Sequence, residues 1–173
     1  MGHLNVEIKA RCGTQDAVRD ILKSAGADFR GTDYQTDTYF RTSRGRLKLR
    51  EGRIENCLVF YEREDRKGPK ESRVILFPTE ARSPVREILE KACGVLVRVE
   101  KEREIYYIRN VKFHLDRVPK LGDFVEIEAI DTDGTVGREK LHEQCRRWLE
   151  IFKIDPADLI DRSYADMLSA ENA

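Results

Sequence analysis

Residues 4–10 and 124–130 alternate apolar and charged side chains with the period of two that a half-buried strand requires. The first places Glu7 beside Lys9 on its polar face, and the second places Glu126 and Glu128 on one face. Carboxylates gathered beside cations suit a divalent ion and phosphate, because Mg2+ takes oxygen ligands and usually binds together with substrate phosphates. The same alternation recurs elsewhere. Arg46, Lys48 and Arg50 lie opposite Leu47 and Leu49; Lys101 and Arg103 lie opposite Glu100, Glu102 and Glu104; Lys112, His114 and Asp116 lie opposite Val111, Phe113 and Leu115. If the polar faces converge, Lys9, Arg46, Lys48, Arg50, Lys101 and Arg103 repel one another until something anionic sits among them. Arginine suits bidentate contact with phosphate, and lysine acts as a movable point charge. Glu7, Asp116, Glu126 and Glu128 then hold Mg2+ or Mn2+ between carboxylate and phosphate oxygens, as in phosphoryl transfer. The plain alternative is a set of internal salt bridges. His114 alternates with Asp116 and is placed for proton transfer, although its simpler role is a neutral hydrogen-bonding residue. His3 and His142 carry no signal, and Trp148 reads as core. No P-loop, G-x-S-x-G or H-E-x-x-H pattern is present.

The elements that must position these residues follow from periodicity and punctuation. A strand at 4–12 leads to a helix at 15–25, capped by Thr14 and stopped by Gly26. Strands are expected near 34–42, 45–53, 56–63 and 71–77. A second helix begins at Ser83 with Pro84 in its first turn. It carries Val85, Ile88, Leu89 and Ala92 on its apolar face and ends at Gly94. Strands near 95–108, 110–118 and 123–131 precede a third helix at 137–152, and a helical segment near 155–170 closes the chain. Asp65 to Lys70, with its Gly-Pro and charges, reads as a surface loop. Short turns between most strands make the sheet mainly antiparallel. Alternation alone fits an open sheet wet on one face or a closed barrel with a charged lumen, and closure also removes exposed edges. The expected fold is α+β: an eight-stranded antiparallel closed barrel with a polar lumen and helices packed outside.

A chain of 173 residues suits one domain with a substantial core. Charged residues make up 37% of it, yet the net charge is zero, which argues against general nucleic-acid binding. Cys12, Cys57, Cys93 and Cys145 lie far apart without C-x-x-C spacing, as expected of reduced thiols. With no membrane-length apolar run and no signal peptide, a cytoplasmic location is expected.

The strand signatures resemble the CYTH family of triphosphate tunnel metalloenzymes, nearest its class IV adenylyl cyclase branch. Residues 5–9 resemble that family's E-x-E-x-K strand. Glu100-Lys101-Glu102-Arg103 followed by Ile105-Tyr106 resembles its K-x-R strand. Phe113-His114-Leu115-Asp116 and Phe124-Val125-Glu126-Ile127-Glu128 resemble its later D and E-x-E strands, and Arg162 to Leu168 resembles the cyclase branch's ending. The likeness runs through almost the whole chain. It implies a tunnel that binds a triphosphate such as ATP with Mg2+ or Mn2+, in one unit over 1–173, with pairing into a homodimer in some members. Carried over by position, it implies Glu7, Glu126 and Glu128 as metal-side carboxylates, Lys9, Arg50, Lys101 and Arg103 at phosphate, and Asp116 near the metal or nucleotide. Glu7, Lys9, Lys101 and Arg103 are then the residues closest to catalysis. Two positions depart from the signature. Asn5 replaces its first Glu, which keeps an oxygen donor but loses a charge. Tyr61 stands where the cyclase branch has a tunnel Lys, with Arg63 two residues on, or Lys70, as a substitute. Three functions follow: conversion of ATP to cyclic AMP and pyrophosphate; metal-dependent hydrolysis of thiamine triphosphate, tripolyphosphate or a nucleoside triphosphate; and binding of a nucleotide or polyphosphate without turnover.

Overall fold

The computed structural model of the protein describes residues 2–171. Its strands, in chain order, are β1 (His3–Arg11), β2 (Asp28–Phe40), β3 (Arg46–Glu51), β4 (Asn56–Arg63), β5 (Lys70–Pro78), β6 (Val95–Ile108), β7 (Val111–Val118) and β8 (Gly122–Asp131). The α-helices are α1 (Gln15–Ser24), α2 (Val85–Cys93), α3 (Arg138–Ile151) and α4 (Tyr164–Glu171), with a 3-10 turn at Pro156–Asp158. The strands close into one antiparallel barrel in the order β1-β5-β4-β3-β2-β6-β7-β8. β1 makes the closure. It pairs with β5 from His3 to Glu7 and with β8 from Leu4 to Arg11. Each strand therefore has two neighbours, so the ring has no edge strand.

The alternation in sequence becomes inside and outside of this barrel. Outward-facing Val6, Ile8 and Ala10 of β1, Phe113 and Leu115 of β7, and Val125, Ile127 and Ala129 of β8 form the main core. α1 covers it with Val18 and Leu22, and α3 with Leu141 and Cys145. Burying such aliphatic side chains stabilises by about 1.5–3 kcal/mol each. Trp148 packs edge-on against Phe113 with ring centroids 4.8 Å apart, which makes it a core residue. Outside, Arg19 of α1 clamps Glu104 of β6 through two bonds of 2.6 and 2.9 Å, so this outward carboxylate serves the scaffold. A second apolar cluster inside the barrel joins Tyr39, Val59, Tyr61, Val99 and Phe124 to Tyr164 and Ala165 of α4. The C-terminal segment is tied to β1, because the Ile160 N–H donates to the Lys9 carbonyl and Leu159 bridges Ala10.

Several local expectations change. β2 begins at Asp28, six residues before the strand expected near 34, because it runs along almost the whole of β6. The Thr14 side chain makes no capping bond; its carbonyl accepts from the Val18 N–H at 3.3 Å instead. α2 starts at Val85, whose N–H donates to Ser83 Oγ at 3.4 Å, and Pro84 precedes the helix. None of its residues is buried and Ile88 is 59% exposed, so its apolar stripe is not covered by the sheet. Lys70, expected in an exposed loop, opens β5 and is fully buried. The register carries it inward opposite Glu7. Gly26 and Gly94 end their helices with φ of 72° and 74°, a conformation that disfavours any other residue.

Candidate functional site

The barrel encloses a cavity of about 330 Å3. Seven cationic side chains line it (Lys9, Lys48, Arg50, Arg63, Lys101, Arg103 and Lys112), against five carboxylates (Glu7, Asp37, Glu55, Glu126 and Glu128). Cross-strand register sets the neighbours. Glu7 stands opposite Glu128 on β8 and Lys70 on β5; Lys9 and His114 flank Glu126; Asp37 stands opposite Arg50. Of the residues singled out in sequence, Glu7, Lys9, Lys48, Arg50, Arg63, Lys101, Arg103, Glu126 and Glu128 come together on this cavity. Arg46 and Asp116 do not line it. Arg46 pairs with Asp65 at 2.8 Å and with Asp166 of α4 at 3.0 Å. Asp116 is sealed behind Arg103, with bonds of 2.6 and 2.5 Å to that guanidinium and 2.6 Å from the Tyr164 hydroxyl.

Three carboxylates organise the cations. Asp37 is fully buried and accepts from Lys101 at 2.6 Å, Arg50 at 2.9 Å and Lys48 at 3.1 Å. Burial alone would raise its pKa, but Arg50, Lys101 and Lys48 outweigh it and hold the carboxyl well below the usual range. Burial also lowers the Lys101 amine to about 7, with Asp37 working against the shift. Glu126 accepts from Lys9 at 2.6 Å, Arg103 at 2.9 Å and the His114 ring at 2.9 Å. Burial opposes its charge, and Lys9 and Arg103 still pull its pKa well down. Glu7 is engaged by Arg63. Glu128 differs: burial raises its pKa, and among nearby charges Glu7 and Glu126 add to the rise while Lys112 opposes it. Its carboxylate accepts a hydrogen bond from the Asn5 amide at 2.8 Å.

That arrangement bears on metal. Asn5 donates through Nδ2 to Glu128 and leaves its own Oδ1 buried without a partner. An orphaned oxygen beside two facing carboxylates, Glu7 and Glu128, fits a hard divalent cation. Among the described residues no three His, Cys, Asp or Glu side chains already form a cage. A Mg2+-type ion does not need one, since it is usually held by one or two carboxylates plus substrate phosphates and water.

Asp37, Lys112, Glu55 and Tyr164 carry no role in the sequence reading, and Lys70 enters it only as a substitute for the cation that Tyr61 replaces. Asp37 shares the inward row of β2 with Gln35 and Tyr39, an alternation that could have flagged it. Lys112 belongs to the polar row of β7 that alternation marks, but alternation alone gives it no partner. Glu55 lies in the turn between β3 and β4, where no periodicity exists. Its place is set by Asp33, whose buried carboxylate accepts the backbone N–H groups of Arg53, Ile54 and Glu55 at 2.7, 3.1 and 3.0 Å. Gly52 makes that approach possible: a Cβ there would come within 2.4 Å of an Asp33 oxygen. So placed, Glu55 pairs with Arg50 at 2.9 Å and with Lys112. Lys70 donates to the Ile160 carbonyl at 3.1 Å, and burial, helped by Arg63, brings its pKa down to about 8. Tyr164 reaches from α4 under Lys9, whose ammonium lies 3.5 Å from the ring centroid. Tyr61 faces the cavity as aligned, and Arg63 follows it on the same wall.

Together these make a closed antiparallel barrel that forms a tunnel with a charged lumen, seven cations against five carboxylates. The CYTH domain family matches residues 3–164, and the chain belongs to that family. A Methanocaldococcus jannaschii protein named as a candidate adenylate cyclase is 27% identical over 95% of this chain and 98% of its own. A solved structure from Vibrio parahaemolyticus, also named as a candidate adenylate cyclase, superposes with a TM-score of 0.79 at 21% identity, covering 98% of this chain and 99% of that one. A Hippeastrum protein, described as a candidate adenylyl cyclase with a dominant triphosphatase activity, superposes with a TM-score of 0.62 at 13% identity, covering 98% and 96%. Among the described residues no helix is long and apolar enough to cross a membrane.

Proposed function

We propose that the tunnel binds a linear triphosphate, with ATP as the leading substrate, together with Mg2+ or Mn2+, and converts ATP to cyclic AMP and pyrophosphate. The observation that carries this reading is the surplus of cations in an enclosed volume of about 330 Å3, within the range of small-molecule sites. Lys9, Lys48, Arg50, Arg63, Lys101 and Arg103 neutralise non-reacting phosphate oxygens. Positioning and charge stabilisation do most of the work in phosphoryl transfer. Glu7 and Glu128 hold the metal, with Asn5 Oδ1 beside them and Glu126 next along β8; Asp116 acts by fixing Arg103. The bound ion would supply further neutralisation between the phosphate oxygens and the wall. In the cyclase reaction the ribose 3′-hydroxyl attacks the α-phosphorus, loses its proton, and pyrophosphate leaves.

A second reading is hydrolysis, in which water attacks a terminal phosphorus of tripolyphosphate, thiamine triphosphate or a nucleoside triphosphate. The named activity of the Hippeastrum relative favours it. Incubation of the purified protein with ATP or tripolyphosphate and Mg2+ or Mn2+ separates the readings. Cyclic AMP with pyrophosphate supports the first and free phosphate the second. Tight binding without turnover would leave a binding protein, and no binding of either polyphosphate would end the tunnel reading. We also read 1–173 as one such unit, working in the cytoplasm, in keeping with four unbridged cysteines. Self-association belongs to the same proposal. On the outer wall Ile75 is 53% and Phe77 63% exposed, an apolar face that a second copy would cover. Sedimentation of the full chain tests it.

A further inference from the structure

The strongest unexplained feature of the tunnel is His114. The residue is buried on β7, faces inward and lines the cavity. Its Nδ1 lies 2.9 Å from Glu126 Oε2. Glu126 accepts simultaneously from Lys9 and Arg103, so it has no proton to give. Nδ1 therefore carries the hydrogen and donates it, and Nε2 is left as a bare lone pair. Nε2 is buried and has no partner. The cations nearest to it in register are committed elsewhere: Lys112 to Glu55, and Arg103 to Asp116 and Glu126. A buried acceptor without a donor calls for an explanation. An imidazole whose other nitrogen is fixed by a carboxylate is the arrangement that orients histidines at metal ions. Glu128 is the next inward residue after Glu126 along β8, opposite Lys112.

We propose that Nε2 of His114 is a nitrogen ligand for the divalent ion of this tunnel, with Glu128 as the neighbouring oxygen ligand. The inference rests on the tunnel reading and adds a donor that the carboxylate set lacks. Its consequence is selectivity. Mg2+ prefers oxygen and water, whereas imidazole suits first-row transition ions, so the nitrogen biases the site toward Mn2+. The remaining ligands would be phosphate oxygens and water, consistent with the absence of a three-residue cage among the described residues.

Pulsed electron paramagnetic resonance on the full chain with Mn2+ and tripolyphosphate reads the ligand directly. The expected result is a nitrogen modulation on bound Mn2+ that changes when the histidines carry 15N. It should survive His3→Gln, since His3 also lines the cavity, and disappear in His114→Gln. In competition titrations, the preference for Mn2+ over Mg2+ should fall about tenfold in His114→Gln. Bound Mn2+ without nitrogen modulation, or modulation that ignores the histidine label, overturns the proposal while the tunnel reading stands. Modulation that persists in a folded His114→Gln overturns it as well. The labelled wild-type chain and its His3→Gln variant decide the matter even if His114→Gln does not fold. Failure of Mn2+ to bind at all would remove both this proposal and the metal-dependent tunnel.

Discussion

Asp37 is an internal counterion of the tunnel cations, and Asp37→Asn should separate stability from binding. The change keeps the side chain's shape and removes its charge from Lys101, Arg50 and Lys48. Removing one partner of a buried pair costs about 3–5 kcal/mol, because the other charge stays buried and uncompensated. For a chain of this size each kcal/mol moves the melting temperature by about 2–4 °C, so a fall of roughly 10 °C is expected. The loss depends on pH in a fixed direction. Lys101 holds its proton better with Asp37 present than without it, so the pairing stabilises below the wild-type Lys101 pKa of about 7 and fades as pH rises through it. The gap between wild type and variant should therefore be widest near pH 6 and narrower at pH 8.5. Binding should move the other way. A carboxylate about 5 Å from a phosphate oxygen repels it by roughly 3 kcal/mol at an effective dielectric constant near 20, so after screening by salt the variant should bind tripolyphosphate at least about tenfold more tightly. Saturating tripolyphosphate should then recover much of the lost melting temperature. Thermal melts from pH 6 to 8.5, paired with calorimetric titration of tripolyphosphate, measure both effects. A variant that melts with wild type and binds no more tightly would show that Asp37 does not hold these cations in solution.

Glu128→Gln should leave the metal-free stability at pH 7 unchanged or slightly higher, since burial already disfavours the charge on Glu128. Its raised folded pKa means that wild-type stability falls as pH climbs from the ordinary carboxylate range through that pKa, and the variant should lack this fall in a pH series of urea melts. Asn5→Glu adds a carboxylate beside Glu7 and Glu128; it should destabilise the metal-free protein by about 1–3 kcal/mol and tighten Mn2+ binding, with unchanged Mn2+ affinity removing Asn5 from the site. Tyr164→Phe deletes the 2.6 Å hydrogen bond to Asp116 while keeping the ring under Lys9; a loss of about 1.5–3 kcal/mol in chemical denaturation is expected, and a neutral result would show that Asp116 is satisfied by Arg103 alone.

Much of the tunnel wall was legible because side chains alternate strictly along a strand. Once Val6 and Ile8 face the helices, Glu7 and Lys9 must face inward, and the same logic fixes Arg103, Glu126 and Glu128. The barrel itself was legible through the same rows and their resemblance to the family signature. α2 shows where this reasoning stops: a correct helical stripe says nothing about whether a surface exists to cover it.

By itself, then, the sequence determined most of the strand residues that face the lumen and that their charges are mixed. The tertiary structure alone decided which charges meet. Period two assigns a face, but a partner depends on register around a closed ring and on chain crossing from distant segments. Asp37 meets Lys101 across 64 residues and Lys70 reaches the carbonyl of Ile160 across 90. Asp116 is sealed from the cavity by Arg103 and by Tyr164 arriving from α4, and Glu55 enters it because Asp33 gathers the turn that carries it. These long-range meetings settle which lumen charges are paired within the protein, and no local pattern encodes them.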